Sequence, residues 1–239
     1  MPLTLRNNLR QFCSGLKRII CPAYLIPQLL FLSFFWVNTA SCWTVGFITG
    51  SGGLGDESFN DMTFSGLAMA QKEFGFELIT KEWEQEIPMD RLFAELIDAK
   101  TEIIVLNGDQ FKPLIEKYAP KYPETYLIAN DFVGGSYPNV KSIVYSQHEG
   151  SFLAGFLAAK MSESKRIGFL GAIDIAVIKA FLTGFKEGAE YSEDVEIITK
   201  YISRLPDYSG FNNPLKGYQM ARELYQDGVD VIFAVAGSS

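Results

Sequence analysis

The chain has 239 residues, of which 48% are hydrophobic and 21% charged, with a formal net charge of −7. That length buries the core of one or two domains. The acidic balance excludes a protein that coats nucleic acid, because a phosphate backbone needs a basic footprint. One histidine, His148, and three cysteines leave no usual His/Cys zinc site to build, and no cofactor is expected.

The charge is unevenly spread. Residues 1–55 contain no acid, and residues 1–42 hold four basic residues, Arg6, Arg10, Lys17 and Arg18. An apolar run, Ala23 to Val37, follows them. It has 15 residues and is interrupted by Pro27, which is short for a membrane span of about 20. A basic, acid-free lead-in and a short apolar run have the layout of an export signal. The small residues of Asn38-Thr39-Ala40-Ser41-Cys42 resemble a bacterial lipobox, with Thr39 where a Leu is usual. Residues 1–42 are therefore expected to be a lipoprotein signal peptide. Cys42 is the expected acylation site, palmitate among the acyl groups, and the new N-terminus. Such lipid anchors the chain to a membrane without spanning it. The competing reading is an uncleaved signal anchor. All three cysteines lie at or before Cys42, so no disulfide is available beyond it.

Beyond Cys42 the pattern alternates. Trp43 to Thr49 is a continuous apolar strand, and Ser58 to Phe74 has helical spacing. Phe76 to Thr80 predicts a strand, Met89 to Ala99 an amphipathic helix, Glu102 to Leu106 a buried strand, Gln110 to Tyr118 a helix and Thr125 to Ala129 a strand. Ser142 to Tyr145 is a candidate edge strand. Unalternating apolar strands separated by helices imply a parallel sheet covered on both faces, a doubly wound α/β lobe over 43–147. Glu149 to Met161 is a helix rich in small residues, read as the crossover into a second lobe over 148–239. That lobe continues with strand Arg166–Leu170, helix Ile175–Tyr191, strand Val195–Tyr201, helix Pro214–Asp227 and strand Val229–Val235. Three strands make a thin sheet, so the second lobe is expected to be truncated.

Ligands bind outside the carboxyl ends of strands in such sheets. After the first strand comes Gly50-Ser51-Gly52-Gly53-Leu54-Gly55, a literal G-x-G-x-x-G. It raises a nicotinamide- or flavin-dependent enzyme as one reading. Asp56 and Ser58 follow as helix caps, so the helix starts after the glycines. Asp56 and Glu57 would also repel a pyrophosphate at that helix terminus. His148 opens a helix with no Ser or Cys nucleophile in evident relation to it, so no hydrolase constellation is read.

The longer stretch Thr49 to Asn60, with its Gly-Gly turn and Asp56-Glu57-Ser58-Phe59-Asn60 opening a helix, resembles the basic membrane lipoprotein family. Members are nucleoside-binding subunits of bacterial ABC importers. His148 to Gly155, Ile167 to Asp174, Gly184-Phe185-x-x-Gly188 and Pro214-x-Lys216-Gly217 are similar to further family segments in the same order, so the resemblance covers about 43–239. It implies a two-lobed type I periplasmic-binding fold that closes by hinge motion. It also implies a purine nucleoside as ligand, an ABC permease as partner, no enzymatic activity and a lipid-anchored place on the extracytoplasmic face of the membrane.

A nucleoside needs aromatic faces for its base and carboxylates or amides for its ribose. By the resemblance, Phe59 stacks the base and Phe211 faces it from the second lobe; core packing is the alternative for both. Asn60, which donates and accepts, suits a hydroxyl or ring nitrogen, with a helix-start role as its alternative. Asp131, directly after a strand, suits the ribose, with a turn role as its alternative. Asp56 and Asp174 are ligand candidates that could equally be caps. Acids near the pocket without Lys or Arg favour a neutral ligand over a phosphorylated one. Gly50 stands where the family has Asp, which bears on purine selection. Two other functions compete: an enzyme on the same scaffold, and a surface lipoprotein without ligand binding.

Overall fold

The computed structural model describes residues 43–239. The leader and Cys42 lie outside the described residues. The first half forms β1 (Thr44–Ile48), α1 (Phe59–Phe74), β2 (Glu77–Lys81), α2 (Met89–Asp98), β3 (Ile103–Asn107), α3 (Lys112–Tyr118), β4 (Tyr126–Asn130) and β5 (Val140–Ile143). The second forms α4 (Gln147–Met161), β6 (Arg166–Gly171), α5 (Ala176–Ser192), β7 (Glu196–Tyr201), α6 (Pro214–Gln226) and β8 (Val231–Val235). A 3₁₀ turn, Asp109–Phe111, leads into α3, and another, Tyr208–Phe211, precedes α6.

The first sheet has the order β2-β1-β3-β4-β5 and the second β7-β6-β8. Every pairing is parallel. Successive residues of β1 serve opposite faces. Val45 and Phe47 join Phe64, Leu67 and Ala70 of α1, while Ile48 joins Leu92, Phe93 and Leu96 of α2 and Leu114 and Ile115 of α3. Both faces of the first sheet are thus covered, which is why its inner strands read as unbroken apolar runs. In the second sheet, Ile167 and Phe169 pack with α4 and α5, and Leu170 packs with Leu224 of α6.

Helices α4 and α5 lie main chain against main chain. A Cβ added to Gly188 would stand 1.9 Å from the Phe152 carbonyl oxygen, and one on Gly155 1.9 Å from that of Phe185. The small residues of α4, Gly155 among them, allow this close approach. Most element bounds lie within one or two residues of the sequence expectation. The edge strand differs: it runs Val140–Ile143, with Val140 paired to Leu127, so Val144 and Tyr145 belong to the segment leading into α4. Among the described residues no helix is long and apolar enough to cross a membrane.

Candidate functional site

A cleft of about 330 Å³ opens at the carboxyl ends of the strands. Its first wall comes from Gly50 and Ser51 after β1, from the start of α1, from Asn107 to Gln110 after β3 and from Asp131 after β4. Its second wall comes from Ile178 and Phe181 of α5, Phe211 of the 3₁₀ turn and Phe233 of β8. Four phenylalanines therefore line it, one from the first half and three from the second. No Lys, Arg or His does.

Phe59 is the first residue of α1, half-buried against the cleft. Its placement follows from Asp56. That carboxylate accepts the backbone N–H groups of Ser58 (2.9 Å), Asn60 (2.9 Å) and Asp61 (3.1 Å), satisfying donors that a helix start leaves open. A carboxylate also complements the positive end of the helix dipole. Asp56 lines the cleft, yet its oxygens are engaged with the chain itself.

Asn60 is 1% exposed, and its Oδ1 accepts from Gly50 N (2.7 Å) and Asn107 Nδ2 (2.8 Å). Its Nδ2 has no hydrogen-bond partner among the described residues and keeps its donor capacity. Asn107 Oδ1 accepts from Asn130 Nδ2 (2.6 Å) and Thr63 Oγ1 (3.2 Å), and Asn130 Oδ1 accepts from the Tyr145 hydroxyl (2.8 Å). Asn107 and Asn130 are register partners at the ends of β3 and β4. Buried amides of this kind are tolerable because each finds partners. Gly50 sits against this network. A Cβ there would stand 2.7 Å from the Asn107 carbonyl oxygen, so the backbone as arranged admits no side chain at that position.

Asp131 has a φ of 66°, in the left-handed region that Asp tolerates better than most residues. Burial first, then the charge of Asp109, pushes its carboxyl up to about 6, against a hydrogen bond donated by Gln147 Nε2. Burial likewise raises the Asp109 carboxyl, against backbone N–H groups and the Lys112 charge. Phe211 is half-buried and packs on the second-half core while lining the cleft.

Asp174 is not brought to the cleft. It lies outside the lining and pairs with Lys179 Nζ at 3.1 Å, with half its side chain exposed. The residue turned inward there is its neighbour Ile175, just before α5, which is buried and lines the cleft. Cys42 lies outside the described residues. Sequence reasoning did not single out Asn107, Asp109, Gln110, Phe181 or Phe233. Asp109 was within reach of the rule applied to Asp131, since it too follows a strand end.

The halves also meet beside the cleft. Ser51 Oγ donates to the Tyr208 carbonyl (3.0 Å), Tyr208 N donates to Gln85 Oε1 (3.1 Å), and the Trp83 and Tyr208 rings meet edge-on at 5.9 Å.

A family profile described as "Bmp: ABC transporter substrate-binding protein PnrA-like" matches residues 44–239. Basic membrane protein A2 of Borrelia garinii subsp. bavariensis is 32% identical over 190 residues, covering 78% of this chain and 54% of that protein. An uncharacterized lipoprotein of Pyrococcus horikoshii is 30% identical over 192 residues, covering 78% of this chain and 47% of that one. The chain thus spans about half the length of the curated relatives it matches. Among solved structures, an ABC transporter solute-binding protein from Aeropyrum pernix superposes with a TM-score of 0.73 at 29% identity, over 82% of this chain and 55% of that one. A transcriptional activator of the comK gene from Bacillus halodurans superposes at 0.62 with 21% identity, over 82% of this chain and 64% of that one; this shows a shared fold alone. The two parallel sheets, the cleft at their strand ends and the match over almost every described residue give one result: the chain belongs to the Bmp family of PnrA-like ABC transporter substrate-binding proteins.

Proposed function

We propose that the chain captures a neutral nucleoside, a purine nucleoside first among them, and delivers it to an ABC permease while tethered by lipid at Cys42 to the extracytoplasmic face of a membrane. The observation that carries this reading is the lining of the cleft: four phenylalanines, carboxylates at Asp109 and Asp131, an unengaged amide donor at Asn60, and no basic residue. Rings suit a flat base, and base–aromatic stacking contributes about 1–3 kcal/mol per base. Carboxylates suit vicinal hydroxyls and repel phosphate. In this reading Phe59 and Phe211 hold the base, Asn60 and Asp131 hold polar edges, and Asp56 places Phe59. The signal peptide over 1–42, the lobe boundary near residue 147 and the absence of enzymatic activity belong to the same reading. Against a dinucleotide site stands Asp56, whose carboxylate occupies the helix start where a pyrophosphate would lie.

Thermal melting with inosine, guanosine and their monophosphates tests this. A nucleoside at 100 times its dissociation constant should stabilise by about 2.7 kcal/mol, and the monophosphates should not. Phe59→Ala should lose the shift and keep the far-UV circular dichroism of the native chain. No shift with any nucleoside removes the reading in favour of a lipoprotein without ligand binding. Free base accumulating with time removes it in favour of a hydrolase. Gly50 leaves the Asn60 and Asn107 amides, rather than an acid, at the β1 end, so discrimination among purines is expected to be modest.

A further inference from the structure

We propose that Gln147 is a positioning residue for Asp131: its side-chain amide holds one carboxylate oxygen and fixes the other toward the cleft, tying the ligand's polar contact to the segment that enters the second half of the molecule.

Gln147 is the first residue of α4, 16 positions after Asp131, and its Nε2 donates to Asp131 Oδ1. Two positions earlier, the Tyr145 hydroxyl donates to Asn130, the neighbour of Asp131. Two side chains of the crossover are therefore fastened to two consecutive residues at the end of β4. Asp131 lines the cleft, and Oδ1 is the carboxylate oxygen that Gln147 engages. A carboxylate accepts up to four hydrogen bonds, so Oδ2 remains for a hydroxyl that enters the cleft.

The charges around Asp131 make this contact consequential. Asp109 faces it as a like charge. His148 and Glu149 follow on the first turn of α4 and are exposed. Tyr208, from the second half, is raised at its phenol by burial and by Asp109. Lys112 acts on Asp109 rather than lining the cleft. Among the described residues Gln147 is the one side chain that donates to Asp131 and so favours its ionised form. The ionised form is the better acceptor for a ligand hydroxyl.

The part of this inference that concerns ligand rests on the nucleoside reading; the part that concerns Asp131 does not. Carboxyl carbon NMR on the ligand-free chain should place the Asp131 midpoint near 6. The Gln147 side-chain amide resonances should move with the same midpoint in the unaltered protein. Gln147→Leu should raise the midpoint and Gln147→Lys should lower it. Amide resonances indifferent to that titration, or both variants titrating at the native midpoint, would overturn the proposal without touching the nucleoside reading. For a bound nucleoside, Gln147→Leu should weaken affinity about tenfold near neutral pH. Its decline on acidification should also begin at higher pH than in the native chain. Gln147→Lys should shift that decline to lower pH. A uniform loss with an unmoved pH profile marks a merely structural role and sinks the proposal. Absence of nucleoside binding by the native chain sinks only the nucleoside reading, since the ligand-free titrations still decide the role of Gln147.

Discussion

The two halves of the cleft solve opposite problems. The first wall carries an amide and acids at the strand ends, Asn107, Asp109 and Asp131, with Asn130 joined to Asn107 beside them, and each has a hydrogen-bond partner within the chain. On the second wall the contributions are rings, Phe181, Phe211 and Phe233, which need only a core behind them. Phe233 stacks on Phe185 with centroids 5.2 Å apart. The contrast extends to the supporting structure. The first half depends on a hydrogen-bond relay from Gly50 to Tyr145, the second on close contact of two helices.

The largest effect expected from breaking this contrast lies in the second half. Gly188→Ala forces α4 and α5 apart, because its methyl would overlap the Phe152 carbonyl. A cost of about 3 kcal/mol or more is expected from chemical denaturation. A native-like midpoint would mean that the helices are not packed this closely. Next comes the relay. Asn107→Leu is close in size but removes the partners of Asn60, Thr63 and Asn130, and Asn107 is fully buried. A loss of about 2–3 kcal/mol is expected by the same measurement. If this variant instead matched the native chain, the relay would contribute no stability.

A smaller, pH-dependent effect should distinguish the cleft acids from structural ones. The Asp131 carboxyl is raised in the fold from 3.8 to about 6. Its ionised form is therefore disfavoured by folding, with a penalty absent below the unfolded value and complete above the folded one. Asp131→Asn should raise the melting temperature near neutral pH and leave it unchanged near about pH 3.5. Equal shifts at both would remove the burial argument. Asp230, in the second half, has the opposite sign. Hydrogen bonds from Ser162 and Ser164 lead the causes that hold it down to about 2. Its stabilisation is present above 3.8 and lost as pH falls toward 2. Asp230→Asn should flatten that acid limb of the melting curve, the smallest change of the four.

The sheets were legible in the sequence because parallel strands buried on both faces must be apolar throughout, as in the VGFI of β1 and the IIVL of β3. Helix starts were legible where a cap stands, as at Asp56. The β5 edge was placed two residues late because Val144 and Tyr145 look like strand residues. In the fold the Tyr145 ring is largely exposed and only its hydroxyl is tethered. In the cleft, Phe59, Asn60, Asp131 and Phe211 followed from strand ends and the resemblance. Phe181 and Phe233 did not, since a ring inside a helix or strand carries no mark separating core from lining. Asn107 and Asn130 did carry a mark: an amide closing a buried strand requires a partner, and these two are partners of each other. Asp174 follows β6 with the spacing of a ligand residue, but the chain turns it toward Lys179, a choice made by packing rather than by sequence position.

The edge-on meeting of Trp83 with Tyr208 has a practical consequence. An indole of one half rests against a phenol of the other, so separation of the two would alter the environment of an intrinsic fluorophore. Any separation of the two halves can then be followed through the emission of Trp83, with Trp83→Phe, which keeps the other two tryptophans, as the control and no dye attached.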